Sequence, residues 1–214
     1  MNTQQMKEEV HKYALKAYRA GLMAGTSGNF SLLDPSRQMV AITPTGLDYE
    51  QMSPSDIAII DLEGNQLEGD QQPSSEWQMH TELYKKMRVN AVAHTHVPYA
   101  TAFAVSGREI PVVLVEMVVL GGSVPVAPFA LAGTKELGEK VAQTLMKEQK
   151  FACLLKNHGA LTIGSSLEEC YMRSVYLEDA AKIYQYSLAV GEPQVIDDSD
   201  VKRMKEKLGI RFDY

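Results

Sequence analysis

The chain has 214 residues, 45% of them hydrophobic and 22% charged, and a formal net charge of −6. That length suits one domain spanning 1–214 with a full core, and the composition excludes disorder and a coiled coil. The acidic balance argues against nucleic acid or an anionic membrane as partner, but not against a small anion held by backbone amides and hydroxyls.

The start, Met1-Asn2-Thr3-Gln4-Gln5, has no basic stretch followed by an apolar core, as a signal peptide would. No apolar run approaches the ~18–20 residues of a membrane span. The two cysteines, Cys153 and Cys170, form no Cys-x-x-Cys pair. The first is expected in a core strand and the second in a helix. Reduced thiols and a cytoplasmic location are therefore the default expectation.

Residues 4–20 predict an amphipathic helix, with Met6, Val10, Tyr13, Ala14, Ala17 and Tyr18 at helical spacing and Gly21 at its end. A polar glycine-rich turn follows, Gly25-Thr26-Ser27-Gly28-Asn29-Phe30-Ser31. Met39 to Thr43 predicts a strand, and Pro44-Thr45-Gly46 a turn. Ile57 to Leu62 predicts another strand, with Glu63-Gly64-Asn65 as a hairpin signal. Pro73-Ser74-Ser75-Glu76 opens a helix over roughly 75–87, with a Ser75-x-x-Gln78 capping box. A buried strand then carries His94-Thr95-His96, and Pro98 stops it.

A short helix is expected over 98–106 and a very apolar strand over 111–120. Thr134 is expected to cap a helix reaching about 148. A strand pair over 152–163 contains His158. Ser166-x-x-Glu169 caps a long helix reaching about 189, which Gly191-Glu192-Pro193 breaks, and one more short helix follows. The mixed order predicts an α/β fold in three layers, α/β/α, with a central mostly antiparallel sheet flanked by helices.

Three of the five histidines fall in two polar interruptions of apolar segments, His94-Thr95-His96 and Asn157-His158-Gly159. Strand side chains at i and i+2 share a face, so His94 and His96 can hold one metal ion together. A third imidazole from His158 completes a set of the kind that holds catalytic zinc, with one position left for substrate. Neutral imidazoles suit Zn2+, other divalent first-row ions being possible. Gly28, Asn29, Thr45, Gly46, Ser74 and Ser75 supply small side chains, hydroxyls and amides. Ser74 and Ser75 also lie at a helix N-terminus, which favours phosphate.

These segments, with Thr43-Pro44-Thr45-Gly46 and Ala127-Pro128-Phe129-Ala130-x-x-Gly133-Thr134, occur in one order across nearly the whole chain. In that order they resemble the class II aldolase/adducin family. The resemblance implies that His94, His96 and His158 bind a divalent metal, usually zinc. It implies that Glu76 ligates the resting metal and serves as the base once substrate displaces it. Gly28, Asn29, Thr45, Gly46, Ser74 and Ser75 would hold the substrate phosphate. The implied reaction is reversible cleavage of a ketose 1-phosphate, through an enediolate, to dihydroxyacetone phosphate and an aldehyde. A homotetramer with active sites at subunit interfaces is also implied.

The fuculose-phosphate branch uses two tyrosines at the aldehyde oxygen; the matching positions here are Val115 and Leu208. Tyr214 is a further tyrosine, in the tail. Glu116, the only charge in 112–120, matches the acid/base glutamate of the methylthioribulose-phosphate dehydratase branch and is a second catalytic candidate. The ribulose-phosphate epimerase branch has Asp where this chain has Glu76. An adducin-like scaffold should have lost the histidines, and a structural zinc should have four closed ligands, rich in cysteine. The apolar stretch 110–120 and 11 methionines hint at an interface. No role is assigned to His11 or His80, and Trp77 is expected to pack at the helix start.

Overall fold

The computed structural model describes residues 1–212. Eight strands form one sheet: β1 (Asn29–Leu33), β2 (Met39–Ile42), β3 (Ala58–Asp61), β4 (Gln66–Glu68), β5 (Ala91–Thr95), β6 (Val126–Ala127), β7 (Ala152–Leu155) and β8 (Gly159–Gly164). Their spatial order is β4-β3-β2-β1-β5-β8-β7-β6. Every pairing is antiparallel except β6 with β7. The helices are α1 (Thr3–Arg19), α2 (Trp77–Lys86), α3 (Pro98–Ser106), α4 (Lys135–Glu148), α5 (Leu167–Val190) and α6 (Asp198–Leu208).

Strand side chains alternate between the two faces, and each face has its own core. Phe30, Leu32, Ala91, Ala93 and Leu154 pack with residues of α1, α3 and α5, including Val10, Phe103 and Leu177. Leu33, Val40, Val92, Cys153, Leu161 and Ile163 pack on the other side with Met79 and Leu83 of α2 and Val141 and Leu145 of α4. Three layers therefore sandwich a mostly antiparallel sheet, as the sequence predicts. Cys153 lies in β7 and Cys170 in α5; both are free and buried, and burial pushes both thiols up to about 12.

Thr134 and Ser166 cap α4 and α5 through bonds from Leu137 N and Glu169 N, as their spacing predicts. The expected cap at Ser75 does not form. Helix α2 starts later, at Trp77, with Glu76 in the capping position at φ −99°, ψ 13°. Ser74 Oγ accepts from Glu76 N instead, at 3.3 Å. Trp77 packs its ring over Gly64 in the β3–β4 turn.

The segment 111–120 is not a strand. Its second half, Val115–Leu120, winds into a 3-10 turn that ends at Gly121, φ +90°. Helical winding buries Met117, Val118 and Leu120 and turns Val115 and Glu116 outward. A run of apolar β-branched residues reads as a strand by composition, but Gly121 and Gly122, both at positive φ, end it in a turn that a paired strand could not hold. His158 also lies outside a strand, in the Lys156-Asn157-His158 turn joining β7 to β8.

Candidate active site

Asn29 of β1 is the register partner of His94 of β5. Asn29, Ser31, Val92 and His94 alternate with the residues of the α1/α3/α5 core and so face α2. Glu76 stands at the start of α2. His96 follows the end of β5. Asn157, at φ +58°, takes the left-handed conformation that asparagine tolerates and sends the next residue, His158, back over β5. Gly159 must be glycine because a Cβ there would lie 2.5 Å from Thr95 O and 3.1 Å from His94 Cε1.

These turns bring four side chains together. Glu76 Oε2 lies 3.1 Å from His94 Nε2, and Glu76 Oε1 3.4 Å from His158 Nε2. His94 Nε2 is 2.9 Å from His96 Nε2. The three rings stand edge to face, their centroids 4.6 to 5.1 Å apart. His94 Nδ1 donates to Ala160 O at 2.9 Å, which turns Nε2 toward the cluster, as the outer nitrogen of a metal-bound histidine usually does.

This donor set fits a divalent ion. One potential ligand atom from each of Glu76, His94, His96 and His158 lies within 4.8 Å of all the others. Glu76 Oε1 is buried and has no hydrogen-bond partner, an arrangement that costs stability unless a cation faces it. Burial alone would raise the Glu76 carboxyl. The charge and hydrogen bond of His94, then the Asn29 bond and His158, hold it well below the usual carboxylate range. Burial, followed by His94 and His158, pushes His96 down to about 4, and burial lowers His158 as well. Both of these rings are therefore unprotonated at neutral pH, the form that binds metal.

A cavity of about 190 Å³ opens beside this cluster, lined by Gly28, Asn29, Thr45, Gly46, Ser74, Ser75, Glu76, His96 and His158, among others. Its loops are tied together. Ser74 N donates to Thr43 O at 2.9 Å and Thr45 N to Gln72 O at 3.0 Å. Tyr49 hydroxyl donates to Gly28 O at 2.7 Å. Gly28 sits at φ +84°, and a Cβ there would run into Met23 and His94 O. All six residues expected at a phosphate therefore share one cavity with Glu76.

Glu116 lies elsewhere. It is exposed on the 3-10 turn and borders an apolar groove with Val115, Val118, Tyr176, Met204 and Leu208. Within one chain the fold does not bring it to Glu76. Tyr214 lies outside the described residues.

Two buried polar residues beside the segments that carry the site were not legible in the sequence. His80 is fully buried, its Nε2 2.5 Å from Asn29 Oδ1. Glu178 of α5 accepts from Tyr99 N and Ala100 N, both at 2.9 Å. It thereby caps α3 just beyond His96, and burial raises its carboxyl. The available signal for His80 was its position one helical turn after Glu76.

The sequence profile described as Class II Aldolase and Adducin N-terminal domain matches residues 8–185. The chain belongs to the class II aldolase/adducin family. It is 34% identical over 208 residues to the 5-deoxy-D-ribulose 1-phosphate aldolase of Bacillus thuringiensis serovar kurstaki, covering 97% of each chain. It is 35% identical over 219 residues to the L-fuculose phosphate aldolase of Escherichia coli K12, covering 100% of each. A solved structure of an L-fuculose 1-phosphate aldolase superposes with a TM-score of 0.91 at 37% identity, covering 96% of this chain and 97% of that one. The fold of this class II aldolase family member thus matches its relatives over nearly its whole length. Among the described residues no helix is long and apolar enough to cross a membrane.

Proposed function

We propose that this chain is a zinc-dependent aldehyde-lyase that cleaves a ketose 1-phosphate reversibly to dihydroxyacetone phosphate and an aldehyde. The observation that carries this reading is that Glu76 joins three imidazoles on one side and a hydroxyl- and glycine-lined cavity on the other. Three histidines and a carboxylate suit zinc, with manganese or cobalt as alternatives. His94, His96, His158 and, at rest, Glu76 would hold a divalent ion, which would supply Lewis acidity to a bound substrate oxygen.

The chain's own residues do the rest. Ser74, Ser75, Thr45, Gly46, Gly28 and Asn29 hold the phosphate and so fix the position of the reacting carbons. On condensation Glu76, ionised, removes a proton from the dihydroxyacetone phosphate carbon; on cleavage the protonated carboxyl returns it, and the proton it gives is replaced by the one that leaves the hydroxyl oxygen as the aldehyde forms. Glu76 rather than aspartate argues against an epimerase, and the retained histidines argue against a scaffold domain.

The group serving the aldehyde oxygen must come from elsewhere. Val115 and Leu208 are 57% and 60% exposed on the groove that Glu116 borders. Such a groove suits a homotetramer in which Glu116 of one chain reaches the Glu76 site of a neighbour. We read the chain as one cytoplasmic domain, consistent with two unpaired thiols.

A coupled assay for dihydroxyacetone phosphate release tests this reading, using a panel that includes L-fuculose 1-phosphate and 5-deoxyribulose 1-phosphate. The expected outcome is release that chelator abolishes and zinc restores. Metal-loaded protein that releases none from any ketose 1-phosphate would overturn the aldolase reading.

A further inference from the structure

We propose that His80 is a positioning residue for the Glu76 carboxylate, acting through Asn29 by a one-directional chain of four buried hydrogen bonds that starts at Tyr84. The inference deepens the reading of Glu76 given above and rests on it.

Two periodicities produce the chain. Asn29 and Ser31 stand at i and i+2 on one face of β1. Glu76, His80 and Tyr84 stand at i, i+4 and i+8 along one stripe, beginning at the cap of α2. Asn29 Nδ2 lies 2.9 Å from Glu76 Oε2. His80 Nε2 lies 2.5 Å from Asn29 Oδ1. Ser31 Oγ lies 2.6 Å from His80 Nδ1 and 2.6 Å from the Tyr84 hydroxyl. All five residues are buried, His80 and Ser31 fully.

Hydrogen-bonding capacity sets the sense of every link. An ionised carboxylate only accepts, so Asn29 must turn its NH2 toward Glu76. Its carbonyl oxygen then faces His80, so His80 must carry its proton on Nε2. In a neutral ring Nδ1 is then an acceptor, so Ser31 donates to it and in turn accepts from Tyr84. Burial pushes the His80 imidazole down to about 3, which keeps the ring neutral at ordinary pH.

The purpose of this order is orientation. An amide flipped by half a turn would present an oxygen to Glu76 and repel it. With the Asn29 amide locked, Glu76 Oε2 is held between Asn29 Nδ2 and His94 Nε2. Oε1, which makes no hydrogen bond, is left 3.4 Å from His158 Nε2 and at the cavity, available to a cation or a proton. Outer partners of this kind tune metal affinity by about 10–100-fold.

The experiment uses full-length protein labelled with 15N-histidine and measures two quantities that need no substrate. The first is the His80 tautomer at pH 7 by long-range 1H–15N correlation. A ring protonated on Nε2 alone is expected, and one protonated on Nδ1 or on both nitrogens overturns the proposal. The second is zinc affinity by chelator competition. His80→Leu should weaken binding by about tenfold or more, and His80→Gln, whose amide can still donate to Asn29, should recover most of it. Wild-type affinity in folded His80→Leu overturns the proposal.

Should His80→Leu not fold, Ser31→Ala removes the donor to Nδ1 and the acceptor of the Tyr84 hydroxyl. Asn29 Oδ1 still accepts from Nε2, so the Nε2 tautomer should persist while zinc binding weakens, and an unchanged affinity overturns the proposal. A wild-type chain that binds no divalent ion but keeps the Nε2 tautomer would overturn the reading of the site and the metal-tuning role together, while leaving the hydrogen-bond chain itself intact.

Discussion

Asn29 and His94 are direct partners across the β1–β5 ladder, so the cavity residue and the first imidazole stand side by side on one face of the sheet. A slip of one residue in that register would send one of them to the opposite core. The site therefore depends on the same pairing that holds the middle of the sheet together.

Removing an imidazole should remove the metal. His94 is fully buried, faces Glu76 and both other rings, and is aimed by Ala160 O. His94→Ala is expected to purify with less than a tenth of the wild-type metal content, as measured by elemental analysis. A variant retaining full metal content and activity would remove the site assignment.

Gly159 is a steric requirement. Gly159→Ala would press a methyl against Thr95 O and the His94 ring. A destabilisation of about 1–3 kcal/mol is expected, together with weaker metal binding. Urea unfolding and chelator competition check the two effects, and a variant with neither would show that the turn relaxes freely.

The cavity proposed to hold the phosphate should act on binding more than on chemistry. Ser75 is exposed at the cavity and lies next to Glu76. Losing a hydrogen bond to a charged group costs about 1.5–3 kcal/mol, so Ser75→Ala should raise KM for the ketose phosphate about tenfold or more. Its kcat should stay within a few-fold. Steady-state kinetics with a cleaved substrate decides this.

Acid should unfold this protein partly through its buried histidines. His80 and His96 titrate near 3 and 4 in the fold, against about 6.5 in the unfolded chain. Between those values the unfolded chain binds the proton and the folded one does not, so stability falls as pH drops below about 6.5. Each such group contributes a slope of at most about 1.4 kcal/mol per pH unit. His80→Gln should lose one such slope between about pH 6 and pH 4, measured by urea midpoints on metal-free protein. An unchanged slope would mean that His80 is protonated in the fold.

Glu116 offers a test of the assembly. Within one chain it is exposed and remote from the Glu76 cavity. Glu116→Gln should therefore keep its metal and lose activity. Mixing it, after subunit exchange, with inactive Glu76→Gln should restore some activity, because hybrids contain sites with both residues intact. No recovery from exchanged hybrids would place the two glutamates outside one shared site.

Sequence patterns located most elements to within a residue or two. The helix over 98–106 and the caps at Thr134 and Ser166 rest on short-range chemistry that the sequence displays directly. The same approach failed at 111–120, where apolar composition suits a strand but the two glycines at its end impose a turn. It failed at Ser75 too, where a good capping spacing gave way to Ser74 because the 73–76 loop is tied to the Thr43–Thr45 strand end.

Periodicity, glycine placement and side-chain type, all legible along the chain, mark the apolar faces, most of the turns and the three histidines able to share a metal. The family resemblance, in turn, implies Glu76 and the phosphate residues. Packing of distant segments brings Glu76 to His94 and His158, links His80 to it through Asn29, and turns Glu116 away. Those relations join β1, α2, β5 and the β7–β8 turn, segments far apart in the chain. Local spacing sets the direction of each side chain within its own element, whereas strand register and helix docking determine which side chains it meets.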